Sequence, residues 1–454
     1  MGLLLFALAS LLLLIGGGGV AGLIVPRDHR LHALEWLSLA ILCGAGVVSM
    51  SSFLLGWLVS GTALRMIVTL ICLLLGAAGI RHWRRAGIEM IWPKPASVGD
   101  CVLLCLLMLQ IGLMVWLSLR FPMAWDGLLN WEIKARLASL NGGVIPTAYF
   151  QSKSLFWSHP EYPLLVPLTE AWVYSWLGGY HQGLVKLVFP LFYFAALGLL
   201  ATGSARIVKE QRTAWLPPLL LFFIPLALTR GGSVTSGYVD FPLAVYYLAA
   251  AIWLAEYWQT ASPGALRMLG IIGAMLPWLK QEGTILWGCL VILAAIKAVR
   301  QRQLLRLWGM VLPGACVLIG WMLFIRFIRA PLGQDYMPLT MATLKSNAGR
   351  IPLILRTLLT ELVNWRNWGL LWPALLPALS LLGKREQREP TAALFLAIAL
   401  PLVLFLEIYL FIGTSNKSLE NHLDASLPRL MLQVSLVAVL LTGVALSIRR
   451  DSAG

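Results

Sequence analysis

Acidic, basic and aromatic side chains concentrate in one stretch of the chain, Phe121 to Gly179. It carries Asp126, Glu132, Lys134, Arg136, His159 and Glu161, with Trp125, Trp131, Tyr149, Trp157 and Tyr162 between them. Three further polar clusters interrupt otherwise apolar sequence: Gly237-Tyr238-Val239-Asp240, Lys280-Gln281-Glu282, and Asn421 to Arg429, which includes His422, Asp424 and Ser426. Carboxylates mixed with lysine, histidine and arginine suit a reaction on an anionic substrate. A carboxylate serves as general base, and cations stabilise a leaving phosphate.

Each residue also has a plain structural reading. Asp126 precedes a helical pattern (Leu129, Ile133, Leu137, Leu140) and is a natural N-cap, a role compatible with catalysis. Glu132 and Arg136 have the spacing of a helix-surface pair. His159 before Pro160 reads equally as an interfacial loop residue, and Asp240 before Phe241-Pro242 as a helix start. Lys280 and Glu282 are positioned to pair with each other, and Arg429 to anchor a helix at an interface. The argument for a site rests on the combination.

The elements that must position these residues are membrane helices. Of 454 residues, 59% are hydrophobic and 12% charged, with mean hydropathy +0.80; soluble domains carry about 25% charged residues. Apolar runs of about 18 or more residues recur, each long enough to span a bilayer. They are continuous rather than alternating, which argues against a β-barrel. The fold class is therefore an all-α polytopic membrane protein. The net charge of +15 falls largely in short loops, the positive-inside pattern, and does not indicate nucleic acid. The cysteines lie within apolar runs and show neither zinc spacing nor a disulfide framework, so they read as small core residues. The tryptophans read mostly as an interfacial belt. The first run, Leu3–Val25, has no charged n-region and reads as a retained membrane helix.

About thirteen helices are predicted, with the N-terminus outside and the C-terminus in the cytoplasm. The first three are about Leu3–Val25, Leu34–Val59 and Gly61–Ile80, and the third ends at the basic run Arg81 to Arg85. A fourth, about Cys101–Leu119, delivers the polar stretch to the outer side. Helices follow at about Gly183–Gly203, Ala214–Thr229 (kinked by Pro217, Pro218 and Pro225) and Phe241–Trp258. A short pair, Met268–Leu279 and Thr284–Ala298, flanks Lys280 to Gly283. That turn must face the outer side or a water-filled cavity, because charge within the bilayer is costly. The remainder are about Leu307–Ile328, Gly369–Leu382, Ala392–Ile412 and Leu430–Ile448. Large outer loops span 120–182 and 329–368, the second with an interfacial helix, and a third covers Gly413–Pro428. Residues 1–100 form an N-terminal segment of three helices without assigned role, and 101–454 a transmembrane module that carries the polar clusters and is the expected catalytic module.

The order Trp125-Asp126-Gly127 with Trp131 and Lys134-Ala135, then His159-Pro160-Glu161-Tyr162-Pro163-Leu164-Leu165, Gly237 to Ala244, Lys280 to Gly283, and His422-Leu423, Ser426 and Arg429 resembles the GT-C superfamily of integral-membrane glycosyltransferases. Within it, the chain is similar to the bacterial branch related to protein O-mannosyltransferases and the lipid A aminoarabinose transferase. The resemblance implies a sugar donor on a polyprenyl phosphate, an extracytoplasmic acceptor (glycan, lipid or protein), and an active site on the periplasmic side of a bacterial inner membrane. It assigns Asp126 to activating the acceptor hydroxyl, which attacks the anomeric carbon with inversion as the lipid phosphate leaves. By charge and placement, Lys280, Arg429 and His422 are the candidates for that phosphate. His159, Tyr162, Asp240, Glu282 and Trp125 are the candidates for substrate contact. A divalent metal is left open: outer-face carboxylates are present, but no spacing demands one. Two features depart from the family. Gly127 follows Asp126 where many members have a second acid, and three helices precede the one that delivers the first large loop. The rival readings are a lipid-linked glycan ligase or polymerase of another fold, and a transporter or flippase of lipid-linked sugars.

Overall fold

The computed structural model describes residues 1–26, 31–87, 89–92, 97–208, 212–331, 336–380, 388–414 and 417–451. The loop charges at 27–30, Lys209, Asp335 and Lys384-Arg385-Glu386 lie outside them, as do the side chains of Arg449 and Arg450. The principal helices are α1 (Gly2–Ile24), α2 (Ala33–Leu55), α3 (Gly61–Ala86), α4 (Val98–Arg120), α5 (Ile133–Leu140), α6 (Leu165–Leu177), α7 (Val188–Val208) and α8 (Asp240–Thr260). They continue as α9 (Pro263–Gly273), α10 (Gln281–Arg300), α11 (Trp308–Phe327), α12 (Ile351–Leu362), α13 (Leu371–Ser380), α14 (Arg388–Phe411) and α15 (Leu419–Asp451). Among the described residues, 9 helical spans are long and apolar enough to cross a bilayer: α1 to α4, α7, α10, α11, α14 and α15. The protein is thus a multi-pass helical membrane protein. Its described β-structure is one two-residue parallel strand pair, Leu31–His32 with Met90–Ile91, and an isolated bridge from Tyr336 to Ile412.

The remaining expected helices differ from full spans for physical reasons. The Ala214–Thr229 segment is broken into Leu216–Leu221 and Pro225–Thr229, since a proline lacks the N–H that would continue the ladder. The Met268–Leu279 run starts earlier, at Pro263, capped by the Ser262 side chain, and breaks before Leu276. The helix expected at Gly369–Leu382 is described only as α13. The seventh, α8, is buried without interruption from Asp240 to Ala255 and forms the centre of the bundle, packed by α7, α9, α10, α14 and α15. A helix apolar on all sides belongs in such a position. The largest correction concerns the third outer loop. Its second half is helical, because α15 begins at Leu419 and runs through Pro428. His422, Ser426, Arg429 and Gln433 therefore share one helix face, at spacings of four, three and four.

The first three helices are bound tightly to one another and to the rest. A Cβ on Gly17 would lie 1.9 Å from the Ala40 carbonyl oxygen, and one on Gly19 would lie 2.2 Å from that of Leu75. The glycine run of α1 is thus what lets its backbone touch α2 and α3, as small residues do in membrane interfaces. Cross-links tie the unit to the module: Trp172 Nε1 donates to Ala9 O at 3.0 Å and Trp278 Nε1 to Ser49 Oγ at 3.1 Å.

The cysteine expectation changes, and a minority of the tryptophans depart from the interfacial belt. Cys72 and Cys289 are buried as expected, but Cys101, Cys105 and Cys316 are exposed on membrane-span surfaces. Several tryptophans fill the core rather than a belt: Trp131, Trp253, Trp278 and Trp368 are fully buried. In loop 329–368, α12 exposes Leu355 and Leu359, four apart on one face, as an interfacial helix does.

Candidate active site

The site forms where α4 ends and α8, α10 and α15 begin. After α4, residues 121–124 are irregular, and Ala124 N donates to Ser236 O at 2.9 Å. The next turn is a π-helix, Gly127–Glu132, a wide turn often found at functional sites. Gly127 is required by packing, since a Cβ there would sit 2.4 Å from Ser236 O. Position 127 therefore has no room for a second acidic side chain. Asp126 does not cap the helix with its side chain. Its backbone N–H donates to Tyr238 Oη at 3.2 Å, and its Oδ2 accepts from Arg429 Nη1 at 2.6 Å.

Arg429 is shared. Its Nε and Nη2 donate to Asp240 Oδ2 at 3.0 and 2.9 Å, and the guanidinium lies 4.7 Å from the centroid of the Tyr238 ring. Asp240 Oδ1 accepts from Lys280 Nζ at 2.8 Å and from Gln433 Nε2 at 3.1 Å. Lys280 also meets Glu282 Oε1 at 3.0 Å. Asp240 is fully buried and Lys280 nearly so, while Asp126 and Arg429 are 22% and 21% exposed. Asp126 is therefore the carboxylate of the pair that a solute can reach. In total, Asp126, Asp240 and Glu282 face Lys280 and Arg429, so both cations proposed for a phosphate are already paired with carboxylates. Gln433 was missed in the sequence; its only signal is its place one turn after Arg429.

A second wall comes from the His159 loop. His159 Nδ1 lies 3.1 Å from Glu161 Oε1, and its ring stacks on Tyr162 at 4.5 Å and 18°. Its backbone is left-handed (φ 49°), a strained state for a non-glycine residue that surrounding contacts must hold. Lys134 supplies one such contact. It is fully buried and donates to Asn130 O at 2.6 Å and Ser158 O at 3.1 Å, tying the loop to the turn after Asp126. Burial pushes its amino group down to about 7, partly opposed by Glu161. Tyr162 joins this wall to the ion cluster: burial, then the charges of Glu282, Tyr336 and Glu161, hold its phenol well above its ordinary value. Trp125 is 74% exposed beside Asp126. His422 lies two turns before Arg429 on α15, and its carbonyl accepts from Ser426, whose hydroxyl meets Tyr409 Oη at 2.8 Å.

Next to this cluster runs a groove of about 550 Å³. Glu161 and Gln281 form its polar end, Leu318, Met322 and Ile325 of α11 line it, and Arg326 and Arg329 stand on its rim. Both arginines are exposed, and no described carboxylate pairs with them. They were not singled out in the sequence. The available signal was a pair of arginines three residues apart at the end of an apolar helix.

Glu132 and Arg136 depart from a simple surface pair. Glu132 accepts from Tyr174 Oη at 2.8 Å, and Arg136 lies 4.7 Å from the centroid of the Tyr180 ring. Behind Tyr174, Glu170 is fully buried and neither carboxylate oxygen has a partner among the described residues. Burial first, then the charge of Glu132, hold its carboxyl well above the ordinary range. A carboxyl whose folded value is raised keeps its proton where the unfolded chain has lost it, so stability falls as pH rises above the unfolded value. The thermal midpoint should fall between about pH 5 and pH 6, before Lys134 titrates at about 7. Glu170→Gln should flatten this slope, by up to about 1.4 kcal/mol per pH unit. Parallel melting curves of the variant and the parent at both pH values would refute a protonated Glu170.

Among the described residues, no group of three or more His, Cys, Asp and Glu side chains comes together as a metal site. The cluster carboxylates face Lys280 and Arg429 instead, so the residues present do not fit a divalent ion. No family model, curated protein or solved structure matches the chain.

Proposed function

We propose that this chain is a membrane-embedded glycosyltransferase that moves a sugar from a polyprenyl phosphate to an acceptor hydroxyl, with inversion at the anomeric carbon. The observation that carries the reading is the meeting of Asp126, Asp240, Lys280 and Arg429 beside an apolar groove with a cationic rim. A lipid-linked anion needs this pairing of apolar track and cation. Asp126 Oδ1 takes the proton of the acceptor hydroxyl, while Arg429 holds Oδ2 and fixes the carboxylate's direction. Asp240 orients both cations. The exposed Arg326 and Arg329 receive the leaving phosphate, in place of the already paired Lys280 and Arg429. Trp125, His159 and Tyr162 offer aromatic faces to the sugar or acceptor, and His422 lines the approach along α15.

The finer architecture belongs to the same proposal: a GT-C-like arrangement with about thirteen membrane segments, sited in a bacterial inner membrane with the cluster facing the periplasm. Purified protein incubated with candidate polyprenyl phosphate sugars should release the free lipid phosphate, read by mass spectrometry. Arg326→Ala combined with Arg329→Ala should raise the donor KM at least about tenfold, with a smaller change in kcat. An unchanged KM would remove these arginines from the donor site. Absence of phosphate release with every donor tried, alongside sugar-lipid movement across vesicles, would favour the flippase reading.

A further inference from the structure

A second cavity, of about 320 Å³, lies away from the ion cluster, between the N-terminal end of α3 and the surface formed by α5 and α6. Its lining includes Thr62, Arg65, Val68, Ser139, Trp172 and Ser175. Arg65 is its charged member. One of its donors is used, Nη1 to Ser175 O at 2.6 Å, and its guanidinium lies 5.2 Å from the centroid of the Trp176 ring. Nε is buried without an acceptor among the described residues, and no described carboxylate neutralises the charge. A guanidinium has five N–H donors, and a buried one left unpaired is costly. The guanidinium's charge and its remaining donors, with Thr62 and Ser139 on the same lining, suit an oxyanion in the cavity.

The surroundings indicate the source of that anion. On the face of α3 next to that of Arg65, Met66, Leu70, Leu73 and Leu74 are exposed by 55%, 54%, 45% and 60%, an apolar flank on a membrane span. An anionic head at Arg65 with apolar chains along this flank is the arrangement of a phospholipid, with the arginine at headgroup depth. We infer that the cavity at Arg65 is a binding site for the phosphate headgroup of a membrane lipid, built jointly by the N-terminal three-helix unit and the α5–α6 surface. This gives the first three helices a function independent of the transfer reaction. The cavity also touches the ion cluster's supports, because Tyr174, which lines it, donates to Glu132 at the end of the π-helical turn after Asp126.

The test is retention of dioleoyl phosphatidylglycerol by the purified full-length protein, measured by native mass spectrometry, against dioleoylglycerol (which lacks the phosphate) and soluble glycerol phosphate. The parent protein should hold the phospholipid and not the diacylglycerol. Arg65→Gln should weaken retention at least tenfold, and Arg65→Lys should keep most of it. Ser139→Phe, which fills the cavity and leaves Arg65 intact, should also lose the lipid at least tenfold, so the question stays decidable if Arg65→Gln misfolds. Parent-like retention in either Arg65→Gln or Ser139→Phe overturns the site. Competition by glycerol phosphate as strong as by the phospholipid keeps the anion site and overturns its lipid source. Because no arm measures sugar transfer, failure of the transferase reading leaves this outcome untouched.

Discussion

Under the proposed transferase reading, Asp126→Asn is expected to lower turnover by about 10²–10⁴-fold, the range for losing a positioned general base, while the protein purifies and melts much like the parent. The substitution keeps the shape of the side chain and removes its basicity. Arg429 retains Asp240 through two hydrogen bonds, so it is not left alone. The lost pair is 22% and 21% exposed, and a partly exposed ion pair contributes about 1 kcal/mol or less. Activity and stability therefore separate at this residue. Lipid-phosphate release in a purified assay, beside a thermal melt, reads both. Near-parental turnover would exclude Asp126 as the base, whereas equal losses of activity and stability would make it a structural partner of Arg429 only.

Asp240→Ala should have the opposite signature, a large loss of stability that takes activity with it. Asp240 faces its partners and not solvent: it accepts from Lys280, Gln433 and Arg429 while wholly buried. Removing it leaves a buried lysine and a largely buried arginine with like charges and one fewer anion between them. Breaking a buried pair in this way costs about 3–5 kcal/mol. A melt in detergent checks the size. Lys280→Met in the same background should recover part of the loss, because it removes one stranded charge, and the recovery measures the coupling between the two positions. A melt of Asp240→Ala within about 1 kcal/mol of the parent would show that the cluster does not hold the bundle together.

These two residues illustrate how much of the site is legible in the chain. Asp126, Asp240, Lys280 and Arg429 stand out because a charge beside a long apolar run is expensive and must be matched. Their charges alone do not tell which cation meets which carboxylate. Lys280 and Arg429 read as phosphate candidates, with Glu282 as a pairing partner for Lys280; the fold sets Asp240 between the two cations, bound to both. Beside the groove, the cations that no described carboxylate pairs are Arg326 and Arg329, at the end of α11. Lys134 reads as one charge among several, and the fold makes it a buried tie between the π-helical turn and the His159 loop.

The sequence by itself determined the class. Long apolar runs, few charges and basic short loops suffice to specify a multi-pass helical protein, because a backbone in lipid must satisfy its own hydrogen bonds segment by segment. That requirement is local, so it is written locally. Tertiary structure alone decided where α15 begins, why position 127 is glycine, how the first three helices close on their glycines, and which charges neutralise one another. Each of these depends on the distance between atoms far apart in the chain: Ser236 O against Gly127, Ala40 O against Gly17, and Asp240 against Lys280 and Arg429. Pairing energies and steric contacts fall off within a few ångströms, and only the packed bundle sets those distances.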